Sequence, residues 1–260
     1  MAKHQGVDFT GIVISRTDYK ERDMLVRILT DHFGIKTFFV RGARKKGFKL
    51  ASAILPFSHG VYFGNINDQG LSFINGTREL AQYQSIFSDI ELNAYASYIF
   101  GLIGAAFGND EPLPDRWFAK VVASLKYIDS GLDAAIITNI IEVQLLAWFG
   151  VKPFLESCVI CHETKGQFDL SETYGGLLCR KHWYLDVHRL HLDQRTVYYL
   201  RLFSALNLEQ LHSISVKPET KKHLRQTLDT IYNDQVGVYV KAKKFIDQMG
   251  NWDQILKQHD

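Results

Sequence analysis

All three cysteines of this 260-residue chain fall in one short segment. Cys158 and Cys161 are two residues apart, and Cys179 is followed by His182 at the same spacing after 17 intervening residues. C-x2-C followed by C-x2-H over such a loop is the spacing of a four-ligand zinc site, in which each pair closes half of a tetrahedron from a tight knuckle. With no cysteine left over, thiol chemistry elsewhere is excluded. His162 adjoins Cys161 too closely for one ion to reach both, so His182 is taken as the fourth ligand. Four protein ligands make a closed, structural site, because catalytic zinc keeps a position open for water. The zinc deaminases pair H-x-E with P-C-x-x-C. Here Ser157 precedes Cys158, and no H-x-E lies upstream. One structural zinc per chain is expected.

The 46% hydrophobic and 22% charged composition is that of a folded globular chain, with length for one large domain or two smaller ones. The first residues contain no apolar h-region, so no secretory signal is expected. The most apolar stretch, residues 95–108, is too short to span a bilayer. Cysteines committed to metal suit a reducing compartment, and a cytoplasmic protein without a membrane partner is expected.

A net charge of +2 gives no global pull toward nucleic acid, so the placement of the cations decides. Arg41, Arg44, Lys45, Lys46 and Lys49 lie within nine residues that hold no acid. Lys217, Lys221, Lys222 and Arg225 form a second group, and Lys241, Lys243 and Lys244 a third. Each alone is as easily a solvated face, but three acid-poor clusters in a nearly neutral chain favour a polyanion partner.

The fold class is α+β. β-Branched and aromatic runs at residues 10–15, 24–29, 35–40, 60–63 and 71–74, separated by polar turns such as 67–70, predict five short strands and a small OB-type barrel. From about residue 85 the period becomes helical. Leu92, Tyr95, Ile99, Leu102 and Ala106 share one stripe. Asp115 is placed to cap a second helix through Tyr127. Asp133 opens a third, with Ile137, Ile141, Leu145 and Trp148 on its buried stripe and Gly150 as C-cap. Residues 167–170 and 174–178 form a candidate hairpin between the ligand pairs, and a loop this polar draws much of its folding energy from the metal. Asp193 caps a run through Leu206. Pro218 opens a last helix on which Lys221, Lys222 and Arg225 flank the apolar stripe and can face solvent or phosphate. The expected domains are residues 1–80, a barrel, and 81–260, a helical domain with the zinc module at 155–185.

Taken in order, these residues resemble the RecO family of bacterial recombination and repair proteins. The resemblance runs through Gly11-Ile12-Val13, Asp18-Tyr19-Lys20-Glu21-Arg22-Asp23, Arg41-Gly42-Ala43-Arg44-Lys45, Leu55-Pro56-Phe57, Phe149-Gly150-Val151, the zinc ligands and Lys243-Lys244-Phe245. Some members carry four cysteines where this chain ends on His182, and others lack the site. The resemblance implies a mediator rather than an enzyme, cytoplasmic and associated with the bacterial nucleoid. It would bind single-stranded and double-stranded DNA, anneal complementary strands and work with RecR. It would also help load RecA onto DNA covered by single-strand-binding protein, whose acidic C-terminal tail is a further expected partner. An OB barrel with a basic loop can track a phosphate backbone while aromatics stack on bases. Phe38 and Phe39 point to opposite strand faces, and Phe48 is the better stacking candidate. The DNA contacts expected are Arg41, Arg44, Lys45, Lys46 and Lys49 on the barrel, with Lys221, Lys222, Arg225, Lys241, Lys243 and Lys244 elsewhere. The alternative is a zinc-containing protein–protein adapter that does not touch DNA. A metal hydrolase is disfavoured by the closed ligand set and the absence of a nucleophile motif.

Overall fold

The computed structural model of the protein describes residues 3–114 and 116–256, with side chains between residues 4 and 249. Asp115, expected as a helix cap, lies outside the described residues. Five strands open the chain: β1 Lys3–Tyr19, β2 Asp23–Thr30, β3 Gly34–Val40, β4 Ser58–Asn67 and β5 Ser72–Gln82. They pair in the order β1-β2-β3-β5-β4, and β4 returns to β1. The β3–β5 seam is parallel and only two residue pairs long, Phe38 with Ser72 and Phe39 with Phe73, as in the partly open OB barrel. β1 far outruns its expected six residues because it serves two neighbours. Its first half pairs with β4 and its second with β2, and the register against β2 shifts between Val13 and Ser15.

Inside the barrel, Phe9, Val13, Val26, Ile28, Phe38, Val40, Ile54, Tyr62 and Ile66 are buried together. Phe9 stacks between Phe38 and Tyr62 at ring-centroid distances of 5.4 and 5.7 Å. Tyr62 donates its hydroxyl to Ala53 O at 2.8 Å, and burial raises its pKa. Lys36 on β3 is buried as well, but none of its charge is wasted. Its Nζ donates to Asn67 O and Asp68 O at 3.2 and 2.9 Å and meets the Asp110 carboxylate at 3.0 Å.

Helices follow as α1 Gln84–Ser88, α2 Ile90–Phe107, α3 Trp117–Asp129, α4 Ala134–Leu145, α5 Gln194–Ala205, α6 Pro218–Ile231 and α7 Lys241–Leu256. Asp89 caps α2, Asp133 caps α4 and Asp193 caps α5, each by accepting from backbone N–H groups of the first turn. α2 has 18 residues and is long and apolar enough to cross a membrane, which the expectation from residues 95–108 understated. It is a core helix here: Ala94, Ala96, Tyr98, Ile99, Phe100, Leu102 and Ile103 are buried, and Phe100 stacks on Phe57. Trp148 is 43% exposed and does not continue the α4 stripe. The last turn tightens to a 3-10 helix, Leu146–Phe149, and that changes its phase. Gly150 then ends the element at φ +79° in the left-handed region.

The chain divides into two compact units. One runs to Gly131 and takes in the chain again from Val240, so α1–α3 and α7 share a body with the barrel. The other is Leu132–Tyr239 and holds α4, α5, α6 and a two-stranded hairpin, β6 Phe168–Ser171 with β7 Gly176–Cys179.

Candidate nucleic-acid interface and metal centre

The candidate hairpin at 167–170 and 174–178 is present, displaced by one or two residues, and it delivers Cys179 at the end of β7. A short 3-10 helix, Arg180–Leu185, then turns His182 back toward it. On the other side, His162 N donates to Cys158 O and Cys158 N to Glu163 O, both at 2.9 Å, folding the first pair into a knuckle. His162 takes a left-handed φ of +58° in that turn and is exposed, outside the ligand group. The ligand atoms of Cys158, Cys161, Cys179 and His182 all lie within 4.8 Å of one another.

Spacing tests whether a metal fits. Zinc–sulfur bonds of about 2.3 Å and zinc–nitrogen bonds of about 2.0 Å put tetrahedral S···S edges at about 3.8 Å and S···N edges at about 3.5 Å. Cys161 Sγ and Cys179 Sγ are 3.7 Å apart, and His182 Nδ1 is 3.6 Å from Cys158 Sγ and 3.3 Å from Cys179 Sγ. Burial opposes ionisation of Cys158. Hydrogen bonds from the backbone of Cys179, Cys161 and Ile160 and from the Cys161 side chain outweigh it and bring the thiol down to about 6. Three cysteines and one histidine therefore form a group able to hold a metal ion.

The basic loop after β3 is built as a surface. Gly42, at φ +67°, donates its N–H to Asp23 Oδ1 at 2.7 Å, and Arg44 N donates to Arg22 O at 3.1 Å, so the loop is tied to the β1–β2 turn. Arg41, Arg44, Lys45, Lys46 and Lys49 are all exposed. Arg44 meets Asp18 at 3.3 Å with both side chains in solvent, a pair worth little. Arg41, Lys45, Lys46 and Lys49 form no ion pair among the described residues. These four line a groove of about 910 Å³ together with Phe39, Phe48 and Phe73. Phe38 is buried and Phe39 half-buried on the opposite face, as alternation requires. Phe48 is partly buried against the barrel core. Phe73, 40% exposed, escaped the sequence because its neighbour Ser72 takes the buried position, reversing the usual apolar-in pattern.

The remaining cations divide. Lys222, Lys241 and Lys244 are exposed. Lys221 is ion-paired with Asp133, and Lys243 with Asp247 one helical turn away. Arg225 corrects the expectation of a solvent-facing flank. Both its terminal nitrogens meet the buried Glu142 carboxylate at 2.8 Å, and one also meets Asp229 at 2.8 Å. A buried carboxylate outcompetes solvent for the fork of an arginine beside it, because leaving that carboxylate unpaired is costly. The third group, Lys241 to Lys244, belongs to the unit that contains the barrel.

Family comparison agrees with this layout. Residues 5–83 match the profile of the recombination protein O N-terminal domain, and residues 87–244 that of its C-terminal domain. A DNA repair protein RecO from Ligilactobacillus salivarius is 59% identical over 247 residues, covering 95% of both chains. Those of Levilactobacillus brevis and Enterococcus faecalis are 53% and 45% identical over 250 and 247 residues. The barrel, the helical segment and the extent of these matches together establish that the chain belongs to the RecO family, and with it to DNA repair and recombination.

Proposed function

We propose that the protein is a recombination mediator, not a covalent catalyst. It binds single- and double-stranded DNA, pairs complementary strands, and with RecR assists RecA loading on DNA covered by single-strand-binding protein, whose tail it contacts. The observation that carries this reading is the groove on the OB barrel, lined by four cations without ion pairs among the described residues together with the half-buried Phe39 and Phe48 and the exposed Phe73. Such a groove suits a polyanion with bases attached. Residues 1–80 act as the DNA-binding domain; the helical residues 81–260, which carry the zinc module at 155–185, are divided between the barrel's unit and the second. Zinc is the metal of Cys158, Cys161, Cys179 and His182, since a mixed thiolate–imidazole set at tetrahedral spacing selects it. When bound, the ion supplies no reaction; it fixes the hairpin. The protein works in the bacterial cytoplasm, at the nucleoid.

Binding of a short single-stranded oligonucleotide, followed against salt, is the direct test. Each phosphate neutralised contributes about −0.7 to the log–log slope, so five contacts give a slope near −3.5. Replacing Arg44, Lys45 and Lys46 together by alanine should weaken binding and flatten that slope. Unchanged affinity and slope would remove the loop from the interface, and no binding at low salt would favour the adapter.

A further inference from the structure

The three cysteines of the metal centre are not equivalent toward solvent. Cys158 and Cys179 are 0% and 4% exposed, whereas Cys161 is exposed. The difference follows from where each one sits. Cys179 ends β7 and pairs with Phe168 of β6, in a hairpin whose two strands are buried throughout. Cys161 instead opens a run of exposed residues, 161–167, and Ile160 before it is 40% exposed. The turn that carries it is closed by two backbone hydrogen bonds, and His162 beside it stands in the left-handed region at φ +58°. Four ligands of one set thus divide into a packed group and a single thiol at the surface.

Resting on the zinc reading above, we propose that Cys161 is an oxidation site through which a hydroperoxide opens the metal centre, closing a Cys161–Cys179 disulfide and releasing the ion. Ligating cysteines are thiolates, and attack on peroxide follows thiolate character and exposure together. All three cysteines have the first, and only Cys161 has the second. Its thiolate attacks one peroxide oxygen. The S–O bond forms, the O–O bond breaks, hydroxide leaves, and two electrons pass from sulfur to the peroxide. A resolving partner stands ready, since Cys179 Sγ lies 3.7 Å from Cys161 Sγ. The Cys179 thiolate attacks the sulfenic sulfur: the S–S bond forms, the S–O bond breaks, and a second hydroxide leaves. Solvent protonates both hydroxides to water. Disulfide sulfurs stand about 2.05 Å apart, so the pair must still close, and the exposed turn rather than the paired strand is free to do so. Cys158 and His182 then remain as two ligands where a structural zinc needs four. A dithiol reductant reverses the exchange, as suits a transient disulfide in a reducing compartment.

The test uses the full chain, reduced and loaded with zinc, and treats it with hydrogen peroxide. Released zinc is read with a chromogenic chelator, and thiols by alkylation and peptide mass mapping. One zinc should leave for each disulfide formed. Two of the three thiols should disappear together, leaving Cys158 as the alkylatable one. Dithiothreitol with added zinc should reverse both changes. Before oxidation, a limiting alkylating reagent should label Cys161 first. Cys161→His keeps a four-ligand set of two thiolates and two imidazoles. It should release zinc to peroxide at least about tenfold more slowly, because the exposed thiolate is gone. Cys158→His keeps the exposed pair and should release zinc as fast as the unaltered protein. Reduced protein without zinc overturns the ligand set and this proposal together. Zinc retained under peroxide with all three thiols intact overturns the oxidation site alone. A disulfide that includes Cys158, or release from Cys161→His at the unaltered rate, overturns it too.

Discussion

Arg225 stands on the flank of α6 beside two lysines, yet its guanidinium turns inward onto a carboxylate with no exposure to solvent. Nearby, Tyr232 donates its hydroxyl to Glu142 O at 2.9 Å, so one residue of α4 anchors a side chain of α6 and the first residue after it. Removing one partner of a buried pair strands the other and costs about 3–5 kcal/mol, whereas replacing both by apolar groups can be near neutral. Arg225→Ala should therefore lower stability by about 3 kcal/mol in urea unfolding. Arg225→Met with Glu142→Leu should recover most of that loss. DNA affinity of the folded double variant should match the unaltered protein, while Lys222→Ala at the exposed position beside it leaves stability unchanged. Loss of DNA affinity in the paired variant would return Arg225 to the interface. The sequence showed a cation among cations here; only the fold brings Glu142, 83 positions away, beneath it.

Among elements, the hairpin between the ligand pairs is the one whose stability is least its own. β6 and β7 have four residues each, and an isolated two-stranded hairpin is marginal in water. Metal analysis should find close to one zinc per chain. Cys158→Ser with Cys179→Ser should abolish it and lower the midpoint of thermal unfolding, since metal affinity here is folding free energy. Zinc content and midpoint both unaltered would refute the ligand set. This element was legible to within a residue or two, as a candidate hairpin at 167–170 and 174–178, because the ligand spacing that brackets it is a local signal. The barrel strands were legible at their apolar centres and not at their ends. The polar ends of β1 carry no alternation, and only pairing with both β2 and β4 makes them strand. α7 went unread for the opposite reason: among its described side chains only Ile246 is a buried apolar residue, too little to set a period.

For the whole molecule, the expected activity is strand pairing without nucleotide. No G-x-x-x-x-G-K-[ST] loop occurs in the chain, so a phosphate-driven cycle lacks its usual cradle. Exposed cations lie at the barrel loop, at Lys222 and at Lys241 with Lys244, which suffices to screen the repulsion between two strands. Fluorescent complementary oligonucleotides should pair faster with the protein than without it, equally with and without ATP. Pairing at the spontaneous rate, or only with ATP, would count against a mediator. Sequence alone gave Lys221, Lys222 and Arg225 and Lys241, Lys243 and Lys244 as two separate groups away from the barrel loop. The structure places Lys241, Lys243 and Lys244 in the barrel's own unit and the other three in the second.

That partition also fixes an order of events. α7 packs on α2, and Val240, just before α7, lies so close to Gly101 of α2 that a methyl there would fall 2.2 Å from Val240 Cγ1. The body that begins at the first strand is thus completed by the last helix. At ribosomal speeds of about 5–20 residues per second, the segment from 132 to 239 takes roughly 5–20 s to emerge, and the face of α2 that α7 covers waits throughout. The barrel's unit therefore closes only after the second unit has been made, although all five of its strands precede that unit in the chain.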